Sequence, residues 1–484
     1  MPRSPLPIPL GSYESQSLPF SAQRCINWVP TIPQSEALNN RALMMRTGVK
    51  QFSNTGGGSC RGSWLFNGVP FFVCGTSLFS VSESGVSTDH GTIAGTSRVS
   101  MTDNGSFLVI VVPGAQAYVW DKVTVTEITD ADFRPSSSVV FKDGFFVFSA
   151  SDGKTFFHSA INDPFSYNAL EFGSAEVSAD LIVSLHVNRN ELYVLGELTF
   201  ELFQNVGGTG FVFQRINGAT MTRGSFTKYG TLEFDGTFVF IGGGVNERVS
   251  VWRATGASSS QKISTDAIDT QIQKFNKEEI SNAFTTTYSQ DGQLLAIFTF
   301  ESTRIDSKTF VYNATASAFS GRSVWFEMQS GLTDNSWRCN TIVKAYGKLL
   351  CGDSNDGRIG EFDKSVFDEY EENIFQQMAT APFSQNGTTL FAGEFEATFE
   401  AGVGLTTGQG STPTVRMDFS DDGGRTFKGP FKRSIGKIGE YGHQSIWRRQ
   451  GSFPDQRIIR ITKTEAVKGN LIRLAATPRI GSGN

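Results

Sequence analysis

The feature that most constrains the fold of this chain is a turn dipeptide, usually Asn or Asp followed by Gly, that recurs between short apolar segments. A two-residue hairpin turn of type I′ needs positive φ at both central positions, which Asn, Asp and Gly tolerate best. The pattern predicts antiparallel hairpins and little helix. Clear copies are Asn67-Gly68, Asn104-Gly105, Asp143-Gly144 and Asp235-Gly236, and weaker ones are Asn190, Asp291-Gly292 and Tyr346-Gly347.

The spacing of these turns indicates the architecture. The steps from one turn to the next are 37, 39, 47, 45, 56 and 55 residues. A four-stranded propeller blade takes roughly 40–50 residues. We therefore predict an all-β chain with a β-propeller of six or seven blades over residues 60–365, preceded by an N-terminal segment, residues 1–59, that contributes to propeller closure or to ring contacts.

One of the two long steps contains a segment with helical periodicity. In residues 262–284, Ile268, Ile272 and Phe275 fall on one helical face, and Ser264 is placed to cap the N-terminus. We predict a helical insertion between two blades there.

The pattern changes after about residue 365. Phe395, Ala397 and Phe399 alternate with Glu394, Glu396 and Glu400, and a similar alternation recurs at 415–419 and 459–462. A period of two with one buried and one solvated face is typical of an antiparallel sheet packed on another layer. Residues 366–484 are predicted to form a C-terminal β-sandwich-like domain.

Residues suited to catalysis or metal binding are sparse. The four histidines show neither HxH nor HExxH spacing, so no catalytic residue, metal site or cofactor is predicted. The five cysteines include no CxxC pair, which argues against a zinc site and a disulfide scaffold. We expect them to be buried free thiols: Cys25, Cys60, Cys74, Cys339 and Cys351.

One motif is more specific than the other patterns in the sequence. Ser420, Asp422, Gly424 and Phe427 fit the Asp-box of sialidases and other propellers, with a weaker relic at Ser149–Phe156. The Ser and Asp side chains of such a turn bind its amides, Gly supplies positive φ, and the aromatic ring packs below. The motif is structural in its own right. A glycan-binding or sialidase-like protein stays open as the alternative, although a sialidase also needs an arginine cluster and a Tyr–Glu pair.

Net charge and hydropathy limit the classes of partner that the chain can bind. The net charge is −5, divided into −13 over residues 1–414 and +8 over residues 415–484. Such a chain is not expected to grip nucleic acid as a whole, because phosphate binding needs a net basic face. The basic C-terminal part is interpreted as a docking surface or as solvated strand faces. No secretory signal or membrane span is expected, since the longest apolar runs, such as Phe107–Val112, are too short.

Several blocks, in order along nearly the whole chain, resemble the packaged-DNA stabilisation family, the tail hub or nozzle proteins of short-tailed bacteriophages. The central blocks, Phe156–Gly208 and Trp325–Asp363 with Cys-Gly-Asp at Cys351–Asp353, carry most of the likeness. The remaining ones are Ile26–Pro30, Gly48–Phe52, KISTDAIDTQI, SDDGGRTF, Trp447–Arg449 and the closing IIRITKTEAVKGNLIRLAA.

The resemblance implies a structural virion protein made in the host cytoplasm and built into the tail. It implies a homo-oligomer, a hexameric ring below the portal and adaptor rings, whose channel is closed before infection and conducts duplex DNA during ejection without sequence-specific binding. The implied further partners are a tail needle or plug and tail fibre or tailspike proteins. No catalytic residue is implied, so the chain is expected not to be an enzyme.

Overall fold

The computed structural model describes residues 3–175, 180–384 and 389–480. Over this part, the chain is almost entirely β-structure with three short helices, and no helix is long and apolar enough to cross a bilayer. Its first seven strands are short and pair mostly with later parts of the chain. They are β1 Ser4–Leu6, β2 Tyr13–Glu14, β3 Ala22–Gln23, β4 Cys25–Ile26, β5 Trp28–Thr31, β6 Ala42–Met45 and β7 Gly48–Asn54.

The propeller follows as a series of antiparallel sheets. Blade 1 is β8 Cys60–Phe66, β9 Val69–Cys74, β10 Ser77–Val81 and β11 Ser87–Thr92; blade 2 is β12 Ser100–Asp103, β13 Leu108–Val111, β14 Ala117–Trp120 and β15 Val125–Glu127. Blade 3 is β16 Ser136–Lys142, β17 Phe145–Ala150, β18 Thr155–Ala160 and β19 Asp163–Ser174; blade 4 is β20 Ile182–Asn188, β21 Glu191–Gly196, β22 Phe200–Asn205 and β23 Phe213–Met221.

Two further blades and a closing sheet complete the series. Blade 5 is β24 Gly224–Ser225, β25 Leu232–Phe234, β26 Thr237–Gly243, β27 Ser250–Ala254 and β28 Ser260–Lys262. Two helices follow it, α1 Asp266–Ile272 and α2 Lys277–Ser281. Blade 6 is β29 Phe284–Gln290, β30 Gln293–Phe300, β31 Lys308–Asn313 and β32 Trp325–Met328, with helix α3 Ala314–Ser320 between its last two strands. The closing sheet is β33 Cys339–Ala345, β34 Lys348–Asp353 and β35 Arg358–Asp363, completed by β7 from the N-terminal segment.

In the described residues, six blades are thus built from consecutive strands, and the closing sheet is composite. Separate apolar clusters fill the interfaces between neighbouring sheets. Another such cluster joins the closing sheet to blade 1. The propeller predicted from the turn spacing is confirmed. The predicted number of six or seven blades agrees with six blades of consecutive strands, or seven if the composite closing sheet is counted.

The predicted turns lie between the first two strands of successive sheets, except in blade 5, where Asp235-Gly236 connects β25 to β26. Asn67 and Gly68, for example, have φ of 50° and 80° and connect the paired residues Phe66 and Val69. The prediction of a two-residue turn is wrong for Asn104-Gly105, which begins a four-residue connection. There the Asn104 side chain accepts hydrogen bonds from the amides of Ser106 and Phe107.

The helical insertion is present between blades 5 and 6, as two short helices. Ile268, Ile272 and Phe275 are buried in the core between those blades, as their periodicity predicts. The predicted cap is wrong: Thr265 is the N-cap of α1. Ser264 instead accepts a hydrogen bond from the Val251 amide, because β27 lies beside it.

The C-terminal strands form a β-sandwich with the N-terminal segment. The sandwich strands are β38 Gln376–Ala379, β39 Phe383–Ser384, β40 Leu390–Phe399, β41 Thr414–Ser420, β42 Lys428–Ser434, β43 Ser445–Arg448, β44 Ser452–Phe453, β45 Gln456–Lys463 and β46 Leu471–Ile480. The two strands before them, β36 Asp368–Glu369 and β37 Glu372–Asn373, extend the closing sheet beyond β7. One layer has the order β43-β40-β46-β6-β5. The other continues from blade 6 as one sheet of order β29-β30-β31-β32-β4-β38-β45-β41-β42.

Alternation along β40 holds on the apolar side, where Phe395, Ala397 and Phe399 are buried. The expectation that the opposite side is solvated is wrong for Glu396, which is only 1% exposed. Two arginines cover its carboxylate: Arg473 of β46, and Arg3, which directly precedes β1, the strand paired to β46.

The cysteine prediction is partly wrong. Cys60 and Cys74 are directly opposite each other on β8 and β9 and form a disulfide. Sequence spacing without a CxxC pair gave no sign of this pairing, which depends on the hairpin register. Cys25, Cys339 and Cys351 are buried free thiols, as expected.

Candidate functional site: Asp-box turn, propeller hub and domain junction

The Asp-box turn connects β41 to β42 in the C-terminal sandwich. The Ser420 hydroxyl donates to Asp422 at 2.7 Å and accepts from the Gly424 amide at 2.8 Å. The amides of Arg425 and Thr426 donate to Asp422 Oδ1 at 3.0 and 2.9 Å, and the Thr426 hydroxyl donates to Oδ2 at 2.5 Å. The hydroxyl and amide donors, that of Thr426 first, hold the pKa of the Asp422 carboxyl well below its ordinary value.

The fourth motif residue, Phe427, lies half-buried under a cation. The guanidinium carbon of Arg460 is 3.7 Å from the centroid of the Phe427 ring, and Arg460 is itself paired with Asp418. The geometry accounts for every residue of the motif by contacts within the domain, and the turn presents no carboxylate that is free of hydrogen bonds.

The histidines are separate from one another and mostly packed as core side chains. His90 donates to or accepts from Ser80 at 2.7 Å and packs against Trp120. His158 is buried against Phe145, and burial lowers the pKa of His186 to about 4. The described residues hold no group of three or more His, Cys, Asp or Glu that could bind a metal ion.

The propeller hub is crossed by side chains at the end opposite the Asn/Asp-Gly turns. Arg98, in the connection between blades 1 and 2, donates to the Asn340 carbonyl of the closing sheet at 2.9 Å. Its guanidinium carbon lies 4.0 Å from the centroid of the Phe284 ring of blade 6. The hydroxyl of Tyr229, in blade 5, donates to the Arg98 carbonyl at 2.7 Å. Since blade 2 lies across the ring from blades 5 and 6, these contacts close the hub.

A second hub arginine is also fully engaged. Arg61 donates to the carbonyls of Gly75 at 2.7 Å and Ser97 at 2.9 Å, and it also contacts the carbonyl of Ile93. Burial lowers the pKa of Arg61 and brings that of Arg98 to about 10. Carbonyls of the chain hold the Arg61 guanidinium, and Asn340 and the Phe284 ring hold that of Arg98, so the pair is not arranged as an anion-binding arginine cluster.

The residues that close the hub could not be recognised from the sequence. Arg98, Tyr229, Phe284 and Asn340 are far apart in the chain, and only the closure of the propeller ring brings them together. Basic residues also lie in other connections between sheets, at Arg134, Arg223 and Arg338, so a basic residue in such a connection does not by itself single out Arg98.

The junction between propeller and sandwich is a buried polar network. Arg46 donates to Glu369 at 2.9 Å and to Asn27 at 3.0 Å, and the indole of Trp337 donates to the same Glu369 oxygen at 2.8 Å. The Asn27 side chain continues the network by donating to the Phe375 carbonyl at 2.7 Å.

A second network lies beside it. Arg24 binds Glu327 and Asp334, each at 2.8 Å, and Lys308 lies 3.3 Å from Asp334. The Arg24 guanidinium and the Lys308 amine keep the pKa of the Glu327 carboxyl below its ordinary value despite burial. One apolar core spans the same junction, from Tyr288 in blade 6 to Trp447 in the sandwich. The two domains are therefore joined by both polar and apolar contacts.

Comparison with known proteins identifies the family. No curated protein matches the chain significantly. Among solved structures, the N-terminal domain of Nup159 is 11% identical with a TM-score of 0.40, covering 68% of this chain and 97% of that one. An exo-β-1,3-galactanase from Phanerochaete chrysosporium is 10% identical with a TM-score of 0.29, covering 80% and 97%. Scores this low carry no argument.

Family profiles are decisive by contrast. The profile described as the β-propeller of bacteriophage P22 Gp10 matches residues 4–367, and the profile described as its β-sandwich matches residues 376–478. The resemblance expected from the ordered sequence blocks is thereby confirmed, together with the order of the two domains. The chain belongs to the bacteriophage P22 Gp10 family of packaged-DNA stabilisation proteins, which are structural components of phages.

Proposed function

We propose that the protein is a subunit of the phage tail tube below the portal and adaptor rings, where it retains the packaged genome and conducts it during ejection. The observation that carries the proposal is the match of both domains, in order, to one family of phage structural proteins. The proposed assembly is a homohexamer in the virion tail, made in the host cytoplasm, with a tail needle or plug and tail fibre or tailspike proteins as further partners.

The closed hub supports a tube built from several copies. Side chains from the connection between blades 1 and 2 reach blades 5 and 6, so duplex DNA has no path along the axis of a single propeller. A DNA-sized lumen must then lie between subunits. Identical subunits joined by contacts that close on rotation give a ring of this kind.

The charge distribution suits a conduit. Residues 1–414 carry a net charge of −13. Each phosphate neutralised by Lys or Arg adds affinity and slows release of DNA, so a channel through which a genome leaves gains from an acidic lining. We infer that duplex DNA passes the protein without sequence-specific binding.

We also infer that the protein is not an enzyme. A sialidase-like reaction needs arginines directed at a substrate carboxylate, whereas Arg61 and Arg98 are engaged with carbonyls of the chain and with Asn340. The Asp-box carboxylate of Asp422 is held by its own turn. These contacts favour the structural role of the motif over the glycan-binding alternative.

The deciding experiment is deletion of the gene from the phage, followed by electron microscopy and measurement of capsid DNA. The expected particles package DNA, lose it afterwards and lack the tail tip. Intact tails with normal DNA retention would refute the proposal. Purified protein, incubated with sialylated and neutral oligosaccharides, is expected to release no sugar.

A further inference from the structure

The last strand of the long sheet in the sandwich carries several exposed cations. This strand is β42, and its exposed residues include Lys428, Lys432 and Arg433 but no acid. Lys432 lies directly opposite Arg416 of β41, and both are exposed. Like charges opposite each other on paired strands are destabilising. In the described residues, Arg416, Lys432 and Arg433 have no ion pair, although Arg433 donates to the carbonyls of Ile446 at 2.8 Å and Lys432 at 2.7 Å. We call these three residues the basic edge.

Nearby carboxylates cannot neutralise the basic edge, because other cations already hold them. Asp418, two residues from Arg416, is paired with Arg460. Asp421 binds Arg457 at 2.7 Å and Lys428 at 3.2 Å. The Arg416–Lys432 pair therefore has no acidic partner within the described residues of its own subunit.

A matching acidic surface lies on the first three blades. Their outer strands, β11, β15 and β19, contain no Lys or Arg. Each of them has an exposed acid for which no ion pair is formed within the described residues: Asp89, Glu127 and Asp163, which we call the acidic rim. Residues 60–174, which form these three blades, hold 11 Asp and Glu against 6 Lys and Arg.

The two surfaces lie on different domains of the subunit, the basic edge on the sandwich and the acidic rim on the propeller. The sandwich extends from blade 6, and β42 is five strand positions beyond β32, which is about 24 Å at the usual strand spacing. Blades 2 and 3, with Glu127 and Asp163, lie across the ring from blade 6, whereas blade 1, with Asp89, adjoins the closing sheet. Complementary surfaces that do not meet on one molecule can pair between copies, and they then give a heterologous contact that repeats from subunit to subunit.

We propose that the basic edge of one subunit binds the acidic rim of the next copy of this chain in the tail ring. This inference rests on the proposed function and names its intersubunit contact. A second copy of the chain is a better partner for the basic edge than nucleic acid. Each copy carries one acidic rim of complementary charge, so the ring contains equal numbers of basic edges and acidic rims. Such charge pairs speed and orient assembly and lose strength with salt.

The test is a charge exchange in the phage genome. Arg416→Glu with Lys432→Glu reverses the basic edge, Asp89→Lys with Glu127→Lys reverses the acidic rim, and a fourth phage carries all four changes. Arg322→Glu with Lys344→Glu is the matched control, since both residues are exposed and lack ion pairs in the described structure. Copies of the protein per particle are measured on gels against the capsid protein.

Each single reversal is expected to lower incorporation about tenfold, the combined phage to return to within about twofold of wild type, and the control to stay unchanged. Thermal melting of each purified variant confirms folding. If the Asp89 change destabilises blade 1, whose Gly91 amide it binds, Glu127→Lys with Arg416→Glu serves instead.

Normal incorporation of either single reversal would overturn the inference, as would failure of the folded combined variant to recover. Binding of a duplex DNA oligonucleotide is measured at physiological salt. If the wild-type protein binds the duplex and the variant with the reversed basic edge does not, the partner of the basic edge is nucleic acid and the inference is overturned. None of these outcomes affects the proposed function, which fails only if phages that lack the gene keep their tails and their DNA.

Discussion

The guanidinium of Arg46 and the carboxylate of Glu369 meet at 2.9 Å inside the junction between propeller and sandwich, with the two side chains only 1% and 4% exposed. Arg46 follows β6, a strand of the sandwich, and Glu369 belongs to β36, which pairs with β7 of the closing sheet. The ion pair therefore connects the strand that closes the propeller to the segment that enters the sandwich.

Replacing Glu369 by Gln is expected to lower the free energy of unfolding by about 3–5 kcal/mol, because a buried guanidinium then lacks its counter-ion. Chemical denaturation monitored by Trp fluorescence measures the change. Glu371→Gln is the matched control, since Glu371 is exposed and forms no ion pair in the described structure. Equal stability of the two variants would show that the buried pair does not hold the junction.

The Asp-box turn is expected to depend on its carboxylate. Asp422→Ala leaves the amides of Arg425 and Thr426 without their acceptor and should lower the melting temperature. Because the folded-state pKa of Asp422 is depressed, its stabilisation is complete above the unfolded value of about 3.9 and disappears as pH falls below it. The difference in melting temperature from wild type should therefore shrink below about pH 4.

Differential scanning fluorimetry across pH 3–7 tests this, with the exposed Asp455→Ala as control. A variant that melts like wild type at pH 7 would contradict the bracing role. Loss of a glycan-cleaving activity with unchanged stability would restore the enzyme interpretation.

The disulfide leads to a count of reactive thiols. Denatured, non-reduced protein treated with iodoacetamide is expected to gain three labels, on Cys25, Cys339 and Cys351, and reduced protein five. Intact mass spectrometry counts the labels. Five labels without reductant would mean that Cys60 and Cys74 stay as thiols, as the cysteine spacing had suggested. The Cys60→Ser, Cys74→Ser protein should reproduce three labels under both conditions.

Local rules explain how much of this fold was predictable. Positive φ at pairs such as Asp143 and Gly144 is a property of the residues themselves, so the turns and the blade period follow from sequence. The burial of Ile268 and Ile272 likewise follows from periodicity. Long-range contacts leave no such trace. The burial of Glu396 depends on Arg3, 393 residues away, and the disulfide depends on hairpin register.

The candidate sites divide in the same way. The Asp-box lies within eight consecutive residues, so its turn could be recognised from sequence. The closed hub could not, because Arg98 meets Tyr229 and Asn340 only when the ring closes. The excess of basic residues after Val415 was visible, but the strand edge on which Arg416 and Lys432 meet required the register of β41 and β42.

A buried lysine provides the last prediction. The Lys463 amine is buried and donates to the Val467 carbonyl at 2.6 Å, the Glu465 carbonyl at 2.7 Å and the Gln376 side chain at 3.2 Å. It thereby holds the connection from β45 to β46. Burial lowers the pKa of Lys463 from 10.5 to about 7, although the charge of Glu465 acts in the opposite direction.

Between about pH 7 and 10.5 the unfolded chain keeps a proton on this lysine that the folded chain has released. The free energy of unfolding should therefore rise with pH in that window, by at most about 1.4 kcal/mol per pH unit from this group. Lys463→Met removes the group and should flatten the profile, whatever it does to stability at a single pH. Urea unfolding at pH 7, 8, 9 and 10 measures both slopes, with the exposed Lys432→Met as control. A Lys463→Met profile as steep as that of wild type would show that the amine stays charged in the folded protein, held by its three acceptors.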